Sequence, residues 1–423
     1  MMANRRRNIW LFIELLIVTI VTWIVVDPVV MLCGIAMSQH GYDTDRLIYM
    51  EVGVEKSETP ADSVERANAF DALFTRIKSI DGVESATVVS SWMRLESGSS
   101  MPMKLNYINE AGDTVGYDVF RYPRPMDKDY FTTYGITAAK GGPSAEELSA
   151  MAMGPRDIIV NESVARKMFG DGGDYFGKET VDNGDGKSYR IVGVVDDVRP
   201  WHWRSLWRIL WLDESHAECY PEYETTAFIA RLNKGINPKR WVNTHSDEIY
   251  TNFKVGDFYI RSLETHSDVS ENTWQSQMAR NTRQLKIALL VFFLVNLALG
   301  VTGTLYLQTR KRSHDAGIMK SFGANRTNIF NSLVGESMII TIIAWLAGCL
   351  IYLNYAYWNG LSLGIDWELD DLPFDSWISN FWQHFAVVSI VVLAIMSVIV
   401  FIGAYLPARR IAKVDPVEAL RND

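Results

Sequence analysis

The sequence predicts an α-helical membrane protein with four transmembrane helices plus a large extracytoplasmic α+β domain inserted between the first and second helices. Three observations predict it. Four long apolar stretches punctuate the chain, and the polar stretch between the first two alternates strand-like and helix-like patterns. Lysine and arginine collect at one set of span ends, while acidic residues collect at the other. The mean hydropathy of −0.01 conceals this, because the apolar residues are bunched.

A spanning helix needs about 20 consecutive apolar residues. The first candidate, 10–37, follows an N-terminal stretch, 1–9, that contains Arg5-Arg6-Arg7. A cleavable signal peptide is the competing reading. Its apolar core should be about 7–15 residues, and this stretch is far longer, so a retained anchor is expected. Glu14 lies close enough to the start to reach the interface, and Asp27-Pro28 falls near the far edge, where a kink is tolerated. The second span, 287–309, is bounded by Lys286 and Arg310-Lys311-Arg312. The third is 338–357, and the fourth, 385–406, contains no charged residue. Ala344 and Gly348 form a small-xxx-small pair that lets another helix approach closely, either within the chain or across a dimer seam. Beyond Asn296 and Asn354, the spans carry few polar residues.

Orientation follows from the excess of Lys and Arg in cytoplasmic segments. The loop 310–331 carries Arg310, Lys311, Arg312, Lys320 and Arg326 against Asp315, and the tail 407–423 carries Arg409, Arg410, Lys413 and Arg421. By contrast, the loop 358–384 holds Asp366, Glu368, Asp370, Asp371 and Asp375 with no Lys or Arg. Both termini and the 310–331 loop are therefore expected in the cytoplasm, with 40–283 and 358–384 outside.

Within 40–283, Arg46–Val54 and Val83–Ser90 read as strands around a helix at Ser63–Ile80, whose apolar residues recur at helical spacing. Asp81-Gly82 ends that helix. Asp157–Asn161 reads as a strand entering a helix at Glu162–Phe169; Tyr189–Val195, Phe228–Leu232 and Phe258–Leu263 are further strands. Such alternation makes a layered sheet-and-helix domain. Gln275–Lys286 is expected to continue into the second span as one helix.

Composition narrows the function. A net charge of −9 argues against a nucleic-acid partner, which would require clustered Lys and Arg. Cys33 and Cys349 lie in apolar stretches and Cys219 stands alone in the polar region, so no disulfide framework is available there. The glycines and lysine of Gly172–Glu179 imitate a phosphate-binding loop, but Glu179 replaces the magnesium-binding Ser or Thr. His216-Ala217-Glu218-Cys219 is half of a zinc deaminase signature without its second cysteine pair; a metal site of His202, His216 and Cys219 is the minor alternative to ordinary surface residues. No catalytic residue, metal site or cofactor is expected on this chain.

Pro200–Leu212 (PWHWRSLWRILWL) stands out. If helical, it places Trp203, Trp207, Leu210 and Trp211 on one face, with Arg204 and Arg208 beside it. Such a stripe can pack into its own domain, lie on the membrane or grip a partner, or touch a substrate.

Six stretches carry a family resemblance. They are Phe70–Val89 (FDALFTRIKSIDGVESATVV), Asp129–Gly135 (DYFTTYG), Asp157–Gly170 (DIIVNESVARKMFG) with Phe176-Gly177-Lys178, Tyr189–Arg199 (YRIVGVVDDVR), Arg310–Ala324 (RKRSHDAGIMKSFGA) and Pro407–Arg421 (PARRIAKVDPVEALR). In this order, and with this topology, they resemble the permease subunits of the MacB/FtsX-like, or mechanotransmission, class of ABC transporters. Two stretches depart from the pattern. His314-Asp315-Ala316 stands where the family usually has a Glu-Ile pair, and the tryptophan stretch replaces a polar loop.

The resemblance implies a permease subunit whose cytoplasmic loop docks on a separate ABC ATPase, which binds the ATP. Contact is implied for Arg310, Arg312, Gly317, Ile318, Met319, Lys320, Phe322 and Gly323, with Arg409 and Arg410 of the tail. The basic residues alone would also serve topology and lipid headgroups. A second permease copy or related permease, a periplasmic adaptor or outer-membrane partner, and a bacterial inner membrane are further expectations. The family exports antibiotics or peptides, extracts lipoproteins or activates wall hydrolases, and the sequence does not choose among these. The competing readings are an ATPase-independent sensor or anchor, and a membrane enzyme acting at the outer face.

Overall fold

The computed structural model describes residues 2–37, 40–55, 63–91, 93–97, 101–108, 111–125, 129–139, 142–171, 173–184, 186–200, 208–214, 223–272, 274–310, 313–361, 377–378 and 380–413. In chain order the elements begin with α1 (Met2–Met37), β1 (Leu47–Val54), α2 (Ser63–Lys78), β2 (Val83–Ser90), β3 (Met101–Ile108) and β4 (Thr114–Pro125). Then come α3 (Tyr130–Tyr134), α4 (Ala145–Ala150), β5 (Asp157–Asn161), α5 (Glu162–Phe169), β6 (Glu179–Asp182), β7 (Ser188–Val195), β8 (Ile209–Glu214) and β9 (Thr226–Leu232). The chain continues with α6 (Pro238–Asn252), β10 (Lys254–Val255), β11 (Phe258–Thr265), α7 (His266–Asn272), α8 (Trp274–Arg310), α9 (Ser313–Ser321), α10 (Arg326–Asn359) and α11 (Phe381–Ile411). Two units result: 1–34 with 281–369 and 374–423, and 35–280 with 370–373.

The first unit holds four helical stretches long and apolar enough to cross a membrane: Ile9–Gly34, Arg280–Leu307, Arg326–Asn359 and Phe381–Ile411. Their core joins Leu15, Trp23 and Val26 of α1 to Val301 and Leu305 of α8, Ala344 and Tyr352 of α10, and Val388, Val392 and Met396 of α11. At Gly348 a side chain would lie 2.9 Å from Cγ2 of Thr19, so the small pair of the third span packs within the chain. Polar contacts lie inside as well. Ser389 of α11 accepts from Trp23 Nε1 at 3.1 Å through its hydroxyl, and from Trp345 Nε1 at 2.9 Å through its carbonyl. Glu14 turns inward and accepts from the Thr304 hydroxyl of α8 at 3.0 Å. Asp27, one residue before the helix-interior Pro28, is buried against His384 of α11 at 2.6 Å.

The second unit is built on a five-stranded sheet, β10-β11-β1-β9-β2, in which every neighbouring pair is antiparallel. β1-α2-β2 and β9-α6-β11 are two strand–helix–strand units, and each inserts one strand between the other's two. This is the β-α-β-β-α-β arrangement of ferredoxin-like domains. Phe70, Leu73 and Ile77 of α2, with Trp241 and Ile249 of α6, cover Ile48, Met50, Phe228 and Phe258 on one face. On the other face Leu47, Tyr49, Ala227 and Ile229 meet Phe131, Ile159 and Trp211. With both faces covered, β1 and β9 read as nearly continuous apolar runs.

Between β2 and β9 the described strands form an inserted closed barrel, β3-β4-β8-β5-β7-β6, flanked by α3, α4 and α5. Val164, Ala165 and Met168 of α5 pack on Ile158, Val160 and Ile191 of the barrel. Two motifs meet here: β5 lies parallel to β7, and Asn161 Nδ2 and Ser163 N both donate to Asp197 Oδ1 at 2.8 Å. Burial raises the Asp197 pKa, and those hydrogen bonds offset part of the rise. Arg124 of β4 is fully buried, donating through Nε and Nη2 to the two carboxylate oxygens of Asp213 at 2.6 and 2.7 Å.

Candidate functional site

Within 310–331 the described residues form the end of α8, the short helix α9, a tight turn and the start of α10. Gly323 makes the turn. Its φ of 92° is left-handed, Ala324 N donates to Met319 O at 3.0 Å, and Gly323 N donates to Lys320 O at 2.9 Å. That hydrogen-bond pair is the Schellman helix stop, in which glycine avoids the Cβ penalty. Asn325 then caps α10, its side chain accepting from Asn328 N at 2.8 Å.

One face of α9 is anchored. Ala316 packs with Ile329 of α10 and with Ile411 and Ala412 at the end of α11, and Gly317 is buried beside it. The 310–331 loop and the foot of the tail thus form one apolar platform. The opposite face is exposed among the described residues: Ile318 is 39% exposed, Met319 40% and Phe322 88%. Around them Lys320 is half-buried, while Arg326, Arg409, Arg410 and Lys413 are exposed. Such a surface offers apolar contact with cations on the same elements, suited to a protein groove with acidic rims. The side chain of Arg310, and Arg312 altogether, lie outside the described residues.

The tryptophan stripe is corrected in part. Ile209–Glu214 is strand β8, not helix, and Trp211 is buried with its ring edge-on to Phe131 at 5.3 Å. Paired with β4 and β5, these residues alternate between the two cores, so Trp211 is no membrane or partner contact. Trp203 and Trp207 lie outside the described residues, as do His202, His216 and Cys219. Among the described residues no three His, Cys, Asp or Glu side chains cluster as metal ligands. A Gly-x-Ser-x-Gly pentad does occur at 360–364, but it follows the helix α10 and not a strand, unlike a nucleophile elbow.

Two polar groupings escape pattern reading because their members are far apart in sequence. In the outer domain Tyr49 donates to the buried Glu96, and His266 Nε2 stands 3.6 Å from the same carboxylate and 3.0 Å from the Tyr42 hydroxyl. Burial holds Glu96 above the usual carboxylate range, with Tyr49 offsetting part of the rise. The other grouping is Asp27 with His384, signalled in sequence only by an acid inside a span.

Residues 34–242 match the family model of the MacB-like periplasmic core domain, and residues 287–416 match that of the FtsX-like permease C-terminal region. The macrolide export ATP-binding/permease protein MacB of Psychrobacter cryohalolentis is 23% identical over 343 residues, which is 77% of this chain and 45% of that protein. A probable export ATP-binding/permease protein of Pseudomonas fluorescens is 21% identical over 334 residues, 76% of this chain and 47% of that one. The chain thus spans about half the length of the curated relatives it matches. The solved periplasmic region of MacB from Actinobacillus actinomycetemcomitans aligns over 56% of this chain and 98% of its own at 12% identity, with a TM-score of 0.31.

Proposed function

Since this chain belongs to the MacB/FtsX-like permeases of ABC transporters, we propose that it couples ATP hydrolysis by a separate cytoplasmic ATPase to movement of its outer domain. The observation that carries this reading is the platform of α9. Its apolar residues Ile318, Met319 and Phe322 face outward while Ala316 seats the helix on the ends of the third and fourth spans. A large aromatic left this exposed marks a contact surface. Force applied to α9 would reach the spans through that seat, and α8, continuous over Trp274–Arg310, offers a path onward. Work is then done outside the membrane on an exported compound, a peptide or a lipoprotein. ATP binds the partner, and this chain contributes no cofactor site.

The proposal includes two permease chains per complex in a bacterial inner membrane, with both termini cytoplasmic. A periplasmic adaptor or outer-membrane duct would complete an export route. Affinity purification of the intact chain from its native membrane tests the reading. An ATPase should copurify, and Phe322→Asp should reduce its recovery at least about tenfold, because a central aromatic contact is worth about 2 kcal/mol or more. If no ATPase accompanies the unaltered chain, the sensor or anchor reading replaces this one.

A further inference from the structure

Asp27 of α1 and His384 of α11 face each other with Oδ1 2.6 Å from Nε2, and both side chains are only 2% exposed. The second ring nitrogen, Nδ1, stands 3.2 Å from the carbonyl oxygen of Ile378. A carbonyl only accepts, so Nδ1 carries a hydrogen. Two arrangements then satisfy the contact at Nε2: a carboxylate beside an imidazolium, or a carboxylic acid donating to a neutral ring. Both contain the same number of protons. Removing one would leave a carboxylate against the lone pair of Nε2, buried and unpaired, which a low-dielectric site disfavours strongly.

We propose that Asp27 and His384 bind one proton as a unit, and that this proton closes α1 against α11 at the span ends away from the described termini. On binding, a proton from solvent enters the pair and its net charge goes from −1 to 0. Among the described residues, the titratable groups around the pair are Tyr352, Tyr355 and Cys349 of α10, of which Tyr352 interacts directly with Asp27. Cys33 is exposed farther along α1, and α11 carries no charged residue before Arg409. None of these groups is cationic near the pair, so none replaces the proton. Trp377, edge-on to His384 at 6.1 Å, and a close approach between Trp377 and Gly34 shield the site. The inference is independent of the ATPase reading, because it concerns only the spans.

Thermal unfolding of the full-length chain in lipid nanodiscs tests it across about pH 7.5 to 9.5, a unit or more above the free histidine value near 6.5. In that window an unfolded Asp–His pair holds no proton while the folded pair holds one. The folded-to-unfolded ratio should therefore fall as pH rises, by up to about tenfold per pH unit. Asp27→Asn supplies an amide N–H to Nε2 without a bound proton, so that variant should fold and lose this component of the pH dependence. Equal pH dependence in both proteins overturns the proposal. Nitrogen NMR of histidine-labelled full-length chain in lipid, with the signal assigned through its loss in His384→Gln, gives a second reading. Nδ1 protonated, with Nε2 bearing or sharing a proton, is the expected result, and a neutral ring with Nδ1 bare overturns the proposal.

Discussion

At Arg124 the outer domain buries a full positive charge and compensates it completely. Asp213 meets the guanidinium in a two-point contact, and the carbonyls of Leu148, Ser149 and Met151 accept its remaining three hydrogens. Breaking such a pair leaves an unpaired buried charge, so Asp213→Ala should cost about 3–5 kcal/mol in chemical denaturation of the chain. Replacing both partners with apolar residues of similar volume should recover most of that loss. Asp43 makes a different prediction. Burial would raise its pKa, but Arg46 at 2.6 Å and Arg231 at 3.0 Å outweigh burial and hold it below the usual carboxylate range. Its contribution is complete above the unfolded value near 3.9, and is lost as pH falls through the lower folded value. Asp43→Asn should therefore flatten the acid limb of a stability–pH curve below about pH 4 while leaving the alkaline limb unchanged. At this scale the sequence was legible only where a residue type was odd for its surroundings. Asp27 inside a span was such a signal, whereas its partner His384 was not.

Among the elements, α9 is short and depends on its stop. Alanine at Gly323 would place a Cβ in the left-handed region at a cost of about 1–2 kcal/mol. Amide exchange over α9 should accelerate by roughly 5- to 30-fold in Gly323→Ala, at the conversion of about 1.4 kcal/mol per factor of ten. Gly317 lies inside this helix, not at its end, and is buried beside Ala316. Elements with strong periodicity, such as α2 and β1, stand within a residue or two of where the pattern put them. β8 does not, because Ile209-Leu210-Trp211-Leu212 fits helical and strand templates equally, and pairing to β4 and β5 decided the matter. α6 escaped notice because Trp241 and Ile249 are its only buried side chains, too sparse for a period.

For the molecule as a whole, the alternation of strands and helices correctly indicated a layered outer domain, and the four apolar stretches indicated the spans. The interlock of the sheet was not legible. Pairing of Ile48 with Thr265 joins residues at opposite ends of the domain, and no local pattern encodes such a contact. The α9 platform was half legible: its apolar and basic residues were evident, but the seat that unites Ala316 with Ile411 requires the tertiary fold.

That interlock imposes a timetable on biosynthesis. Among the described residues β1 pairs with β9 and β11, and β2 with β9, so the two strands made first are not each other's partners. Until residue 226 has been synthesised and moved across the membrane, both must wait with their backbone donors and acceptors open. Meanwhile the barrel, whose strands all lie between β2 and β9, has all its ladder partners. Its strand pairing can therefore form before that of its host begins. A ribosome that stalls between the two events releases a chain with a complete barrel and two apolar strands seeking any edge, a substrate for quality-control proteases and not a smaller version of the domain.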